Sequence, residues 1–221
     1  MAATVSLTGD QRSALLELLR KLCALFWGPD REKCREMLLK DYFRPFDILE
    51  PVLVSEPPDA SKKIKDLVRS FPDEMALFAR LEEAYVTLFV NAREGIAAPL
   101  YQSCYADSEE PLSTGSLMGD PAVTMKERFA SKELALDSGL HEPPDHLAIE
   151  IEYLYFLLQK GWAESDAVLL SEAAAFVQTE LLAWVPQFEE RLREASAGAF
   201  YAQVASILVA ALRLLGPSIN P

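Results

Sequence analysis

The chain has 221 residues, half of them hydrophobic and a quarter charged, which is typical of a globular protein with a sizeable core. Its 34 acidic and 21 basic residues give a net charge of -13, which disfavours nucleic acid phosphates and anionic lipid as partners. An acidic surface would attract a cationic partner such as a basic peptide, although solubility alone also explains it.

Three cysteines are far apart in the chain, and no CxxC pair or zinc-type Cys/His spacing is present. This pattern favours free thiols in a reducing compartment. The first residues lack a basic segment followed by an apolar one, and no run approaches 18 uninterrupted apolar residues. We therefore expect a cytoplasmic protein without a signal peptide or stable membrane insertion.

Apolar residues recur at helical spacing along most of the chain. In the first half this predicts helices over residues 10–26, 30–42, 60–70 and 74–91. Thr8 or Asp10 is expected to cap the first helix. Four prolines exclude one long helix over residues 43–59.

The composition changes at residues 106–121, where Ser, Gly, Pro and acids leave little to bury. We interpret this segment as a hinge loop between two helical halves, residues 1–105 and 122–221. After it, the pattern predicts helices over residues 120–137, 145–163, 164–183, 186–194 and 200–215. The predicted fold class is all-α, a single helical domain of about nine to ten helices.

The stretch EPPDHLAIEIEYLYFLL, residues 142–158, is apolar except for its start and two glutamates. Asp145 is the expected N-cap, and a helix apolar nearly all round is expected at the centre of the fold. His146, Glu150 and Tyr153 share one side of that helix. Such polar groups must either pair internally, with Arg128 or a backbone amide, or line an acidic groove.

Common catalytic motifs are missing from the sequence, including those of phosphate-binding loops, zinc proteases and serine hydrolases. The one possible histidine-based metal set is His141, His146 and Glu150; a hydrogen-bonded histidine at a helix start is the simpler interpretation. The enzymatic alternative is a small metal- or nucleotide-dependent hydrolase using Asp145, His146 and Glu150.

Tyr101 and Tyr105 lie one helical turn apart in PLYQSCYADSE, beside the predicted hinge. Exposed aromatic side chains next to acids could hold a peptide with apolar and basic parts. Alternatively, these tyrosines pack the hinge onto the core.

Four segments in this order, AYVTLFV, APLYQSCY, GLHEPPDHLAIEIEYLYFLL and LLAWVPQFEERLREASAGAFYAQVASIL, resemble the TorD/DmsD family of redox-enzyme maturation chaperones. The likeness covers about residues 10–215. Its most specific element is E-P-x-D-H, formed here by Glu142, Pro143, Asp145 and His146.

The resemblance implies an all-helical, non-enzymatic chaperone in the cytoplasm. Its expected partner is the twin-arginine signal peptide, with the precursor, of a molybdopterin-containing reductase, held back from export until the cofactor is inserted. Family members also suggest a monomer or a hinge-exchanged homodimer. No cofactor is expected, apart from the weak guanine-nucleotide binding attributed to some relatives.

The expected peptide-binding residues come from two sources. The family motif carries peptide contact to Asp145 and His146, with Glu142 in the same motif. Position and residue type add Glu150, Tyr101 and Tyr105, because a twin-arginine peptide needs carboxylates beside an apolar trough. A helical adaptor with its interface elsewhere is the remaining alternative.

Overall fold

The computed structural model describes residues 7–54, 59–90, 95–105, 119–134, 141–195 and 199–216. Regular structure within these ranges is helical, apart from an isolated antiparallel bridge between Tyr101 and His146. The all-α prediction is therefore confirmed.

The α-helices of the described residues are α1 (Gly9–Phe26), α2 (Arg31–Met37), α3 (Arg44–Leu49), α4 (Ala60–Arg69), α5 (Glu74–Tyr85), α6 (Asp120–Ser131), α7 (Leu147–Glu164), α8 (Ala167–Phe176), α9 (Leu182–Glu194) and α10 (Ala199–Leu215). A π-helical segment over Val86–Val90 continues α5, and another over Val177–Leu181 joins α8 to α9. The sequence offered Thr8 or Asp10 as the cap of α1. In the structure the cap is Thr8, which forms a reciprocal capping box with Gln11.

Several predicted boundaries differ from the structure. The second helix ends at Met37 rather than at residue 42, and α6 ends at Ser131. Pro186 was expected to begin a new helix, but it lies inside α9, because the chain passes from α8 to α9 through the π-helical segment without a break. Residues 106–118 of the predicted hinge loop lie outside the described residues.

Helix α7 lies at the centre of the fold, as its apolar composition predicts. It packs against α1 and α8, and ten of its 18 residues are buried. Helix α10 is the second buried helix and packs against α9 and α4. Burying a helix on several sides requires apolar residues around most of its circumference, which both sequences supply.

Phe188 of α9 connects distant parts of the chain through an aromatic cluster. Its ring centroid lies 5.6 Å from Phe26, 6.1 Å from Phe89, 5.8 Å from Trp184 and 6.4 Å from Tyr105. The Phe188 side chain is fully buried. It therefore joins α1, the π-helical end of α5 and the segment before the predicted hinge.

The continuous helix Ala167–Glu194 is long and apolar enough to cross a membrane, with a mean hydropathy of 1.4 over its most apolar window. Nearly half of that window, 44%, is buried inside the protein. Phe176 and Trp184 on this helix face the core. These contacts support its assignment as a core helix of the bundle.

Replacing Phe188 by Ala should lower the free energy of unfolding by about 3–5 kcal/mol, because the variant loses the ring contacts and leaves a cavity. Val168→Ala is the control, since the Val168 side chain is 74% exposed, and it should change stability by no more than about 0.5 kcal/mol. Urea unfolding of both variants measures the difference. Equal effects would contradict the central position of Phe188.

Candidate functional site

Residues 98–105, here called the strap, run antiparallel to the residues that precede α7. The Leu147 amide donates to the Leu100 carbonyl at 2.8 Å, and the Gln102 amide donates to the Asp145 carbonyl at 3.1 Å. Backbone hydrogen bonds thus join the end of the N-terminal half to the start of the central helix.

Asp145 fixes the strap with its side chain. It is fully buried, and its Oδ2 accepts a hydrogen bond from the Ser103 amide at 2.9 Å. The prediction that Asp145 caps α7 is wrong, because the cap is His146, whose Nδ1 accepts from the Ala148 amide at 3.2 Å. The Asp145 carboxylate is used for the strap instead.

The His146 ring is 3% exposed and lies between two other aromatic rings. It stacks on Trp27 with centroids 4.8 Å apart and an interplanar angle of 10°, and it meets Tyr101 edge-on at 5.3 Å. Burial lowers the pKa of His146 to about 4, so the ring is neutral at pH 7. A neutral ring agrees with Nδ1 acting as an acceptor.

A carboxylate is hydrogen-bonded to each outer ring of this group. Trp27 Nε1 donates to Glu152 Oε1 at 2.9 Å, and the Tyr101 hydroxyl donates to Glu142 Oε2 at 2.5 Å. Trp27, Tyr101 and Glu142 are half-buried, and Glu152 is exposed. We call these four residues together with His146 the aromatic row.

Glu150 is fully buried, and its Oε2 accepts from Trp184 Nε1 at 3.1 Å. Burial raises the pKa of Glu150 well above its ordinary value, and the nearby Asp145 carboxylate raises it further. The folded protein therefore holds this proton to a higher pH than an ordinary glutamate does. The sequence left open whether Glu150 pairs internally or lines an acidic groove. In the structure it pairs internally, and its partner is Trp184 rather than Arg128 or a backbone amide.

Tyr105 is also an interior residue. Its ring lies 5.0 Å from Trp184, its hydroxyl donates to the Pro99 carbonyl at 2.9 Å, and its exposed fraction is 8%. In this conformation Asp145, His146, Glu150 and Tyr105 are thus closed to direct peptide contact, whereas Glu142 and Tyr101 are accessible. Peptide binding by the six predicted residues stays a prediction.

Sequence reasoning missed two members of the aromatic row, Trp27 and Glu152. Glu152 is one of two carboxylates in the apolar run of α7, which was a usable signal for a functional position. Its pairing with Trp27 joins residues 125 positions apart, and helical periodicity contains no information on such a contact. The two tryptophan–carboxylate pairs of this region could be recognised only in three dimensions.

No group of three or more His, Cys, Asp or Glu side chains suited to a metal ion occurs within the described ranges. His141, one member of the predicted metal set, is exposed, whereas His146 and Glu150 are buried. A separate apolar cleft of about 290 Å³ lies between α3, α4 and α10, and none of the six predicted site residues lines it.

The buried Glu150 generates a prediction about pH. Between the ordinary carboxyl pKa and the raised one, the folded protein keeps a proton that the unfolded chain has lost. Stability is therefore lost as the pH rises through this window, by at most about 1.4 kcal/mol per pH unit.

Glu150→Gln removes this loss, because the amide stays uncharged and its oxygen can still accept from Trp184. The unfolding free energy of the wild type minus that of the variant should become more negative from pH 5 to pH 8. The contribution of His146 is common to both proteins and cancels. Urea unfolding at each pH measures the difference, and a pH-independent value would show that Glu150 is charged in the folded state.

Comparisons with known proteins identify the family. The family model described as nitrate reductase delta subunit matches residues 55–190. The chain is 29% identical over 165 residues to Chaperone protein TorD of Vibrio atlanticus, covering 70% of this chain and 74% of that protein. It is 30% identical over 157 residues to Chaperone protein TorD of Vibrio cholerae strain M66-2, covering 68% of each.

A solved structure from Archaeoglobus fulgidus, assigned to redox-enzyme maturation, aligns with 95% of this chain and 99% of its own at a TM-score of 0.48 and 19% identity. The family model covers more than half of the chain, and the curated relatives are chaperones rather than enzymes. The chain therefore belongs to the TorD/DmsD family of redox-enzyme maturation chaperones.

Proposed function

We propose that this chaperone binds the twin-arginine signal peptide of a molybdopterin-containing oxidoreductase in the cytoplasm and delays export until the cofactor is inserted. The observation that carries the proposal is the aromatic row, in which Trp27 and Tyr101 each hold a carboxylate beside a ring. The delay of export and the molybdenum client come from the family resemblance.

The aromatic row has the groups that two guanidinium ions require. An arginine side chain stacks on an aromatic face and donates to a carboxylate in a forked geometry. Trp27 with Glu152 offers one such pair, and Tyr101 with Glu142 offers another. A carboxylate accepts several hydrogen bonds, so its bond to the ring does not exhaust its capacity.

Phe156 provides an apolar contact beyond Glu152. Phe156 lies one helical turn further along α7 and is half-buried. The apolar segment that follows two arginines could therefore lie along α7 beyond Glu152. The net charge of -13 would also steer a cationic peptide towards the protein.

Asp145 and His146 support this surface from beneath. Asp145 holds the strap through the Ser103 amide, and the strap carries Tyr101. His146 is the buried central ring between Trp27 and Tyr101. We assign both motif residues a positioning role, in place of the direct peptide contact expected from the sequence.

Three further predictions remain. A monomer or hinge-exchanged homodimer and weak guanine-nucleotide binding both follow from the resemblance alone. The hydrolase alternative is not favoured, because Asp145, His146 and Glu150 are buried and the relatives are chaperones.

The double variant Glu142→Gln, Glu152→Gln should bind a twin-arginine peptide about tenfold more weakly, because each guanidinium loses a charged acceptor. The probe is a synthetic peptide with an Arg-Arg pair followed by an apolar segment, and titration calorimetry measures its affinity. The double variant Glu50→Gln, Glu190→Gln is the control for the loss of two charges, since both side chains are exposed and Glu50 lines the separate cleft. A peptide with Gln-Gln in place of Arg-Arg should bind weakly to all variants. Unchanged affinity in the double variant would exclude the aromatic row as the binding surface.

Raising the ionic strength should weaken binding of the same peptide to the wild type, since salt screens attraction between exposed charges. The loss should be smaller in the double variant, which has two fewer carboxylates. Affinity that does not depend on salt would remove the role assigned to the acidic surface.

A further inference from the structure

Helix α6 packs against the segment Gln102–Cys104 of the strap, and charged side chains at its C-terminal end reach a second part of the bundle. Of its 12 residues only Ala122 and Met125 are buried. Arg128 and Lys132 lie one helical turn apart at that end and both point towards the continuous helix Ala167–Glu194.

Each of the two cations meets a carboxylate. Arg128 Nη2 lies 2.7 Å from Glu180 Oε1, and Lys132 Nζ lies 2.5 Å from Glu172 Oε2. The exposed fractions of these four side chains are only 20–26%, so water screens both ion pairs less than at an open surface. Glu172 belongs to α8, and Glu180 belongs to the π-helical segment.

Two aromatic rings lie beneath the ion pairs. The Arg128 guanidinium carbon is 5.3 Å from the centre of the Phe176 ring, and Phe129 lies 5.4 Å from Tyr153. The Tyr153 hydroxyl donates to Glu172 at 2.7 Å. We call the surface formed by Tyr153, Glu172, Phe176 and Glu180 the α6 groove.

The α6 groove therefore holds two cations and an aromatic side chain of its own chain. A twin-arginine peptide carries the same combination, two cations followed by apolar residues. The internal fit is incomplete, because Arg128 Nε is buried without a hydrogen-bond partner. A guanidinium on an unconstrained peptide can rotate to donate from all its nitrogens.

The α6 groove adjoins the aromatic row through the strap. Gln102 Nε2 donates to Glu180 Oε2 at 3.4 Å, and Gln102 follows Tyr101 directly. One extended peptide could therefore reach from the aromatic row into the α6 groove.

We infer that α6 is an internal competitor of the peptide: it occupies the α6 groove, and an Arg-Arg peptide displaces it by moving one of its two arginines from the aromatic row to Glu172 and Glu180, so that the peptide contacts both surfaces. The inference rests on the proposed function and adds to it a second contact surface and a means of control. Peptide affinity then depends on how firmly α6 is held, because part of the binding free energy is used to release it.

The test compares the two sides of one ion pair. Arg128→Gln loosens α6 and leaves the acceptor in the groove, so the Arg-Arg peptide should bind about two- to fivefold more tightly. Glu180→Gln breaks the same ion pair but removes the acceptor, so binding should weaken by a similar factor. A purely structural defect would move both affinities in the same direction.

Lys132→Gln and Glu172→Gln repeat the comparison on the second ion pair, in case one variant of the first pair fails to fold. Lys62 and Asp66 form an exposed ion pair on α4, with nitrogen and oxygen 3.1 Å apart. Lys62→Gln and Asp66→Asn therefore control for the change in net charge, and their effects should be much smaller.

Hydrogen exchange of residues 120–131 provides a second measurement. Peptide addition should speed exchange in α6 of the wild type, and Arg128→Gln should speed it without peptide. Three results would overturn the inference. The two variants of an ion pair could change the peptide affinity in the same direction, they could change it no more than the controls do, or they could change it without faster hydrogen exchange in α6. Failure of the wild type to bind the peptide would instead overturn the proposed function. If only the double variant Glu142→Gln, Glu152→Gln weakened binding, the proposed function would be retained and the role of α6 as a competitor would be excluded.

Discussion

Polar side chains are buried at the start of the apolar helix α7, and the surrounding fold depends on their hydrogen bonds to neighbouring segments. Asp145 accepts from the strap, His146 caps the helix and Glu150 accepts from Trp184. A buried polar group without a partner is costly, so these hydrogen bonds fix where the strap and α9 lie. The position of Tyr101 on the strap, and with it half of the aromatic row, follows from the same constraint.

Within the E-P-x-D-H motif, some residues hold the neighbouring side chains in place and another is accessible to a ligand. Asp145 and His146 lie inside, and Glu142 lies at the surface with its carboxylate on Tyr101. A motif residue can therefore matter to binding because it holds a ring in place. Glu142 and Glu152 accept from the two outer rings, so each of these half-buried aromatic side chains has a carboxylate partner.

Helical periodicity was enough to predict the fold class, the central place of α7 and most helix positions, because apolar spacing reflects burial directly. It was not enough to decide the cap of α7, since Asp145 and His146 could each accept from an amide in the first turn of α7, and the choice follows from the contact of Asp145 with the strap. The surface member Glu142 was predicted, whereas Trp27 and Glu152 were not. Their contact is a matter of how α1 packs on α7, which no local pattern encodes.

The π-helical segment Val177–Leu181 sets the direction in which Glu180 points. A π turn contains one residue more than the α turn it replaces, and one residue rotates a side chain by about 100° around the helix axis. Glu180 lies within this turn, between the buried anchors Phe176 and Trp184. Loss of one residue from this segment would convert it to a regular α turn, so the carboxylate at this position would point in another direction while both anchors stayed in the core.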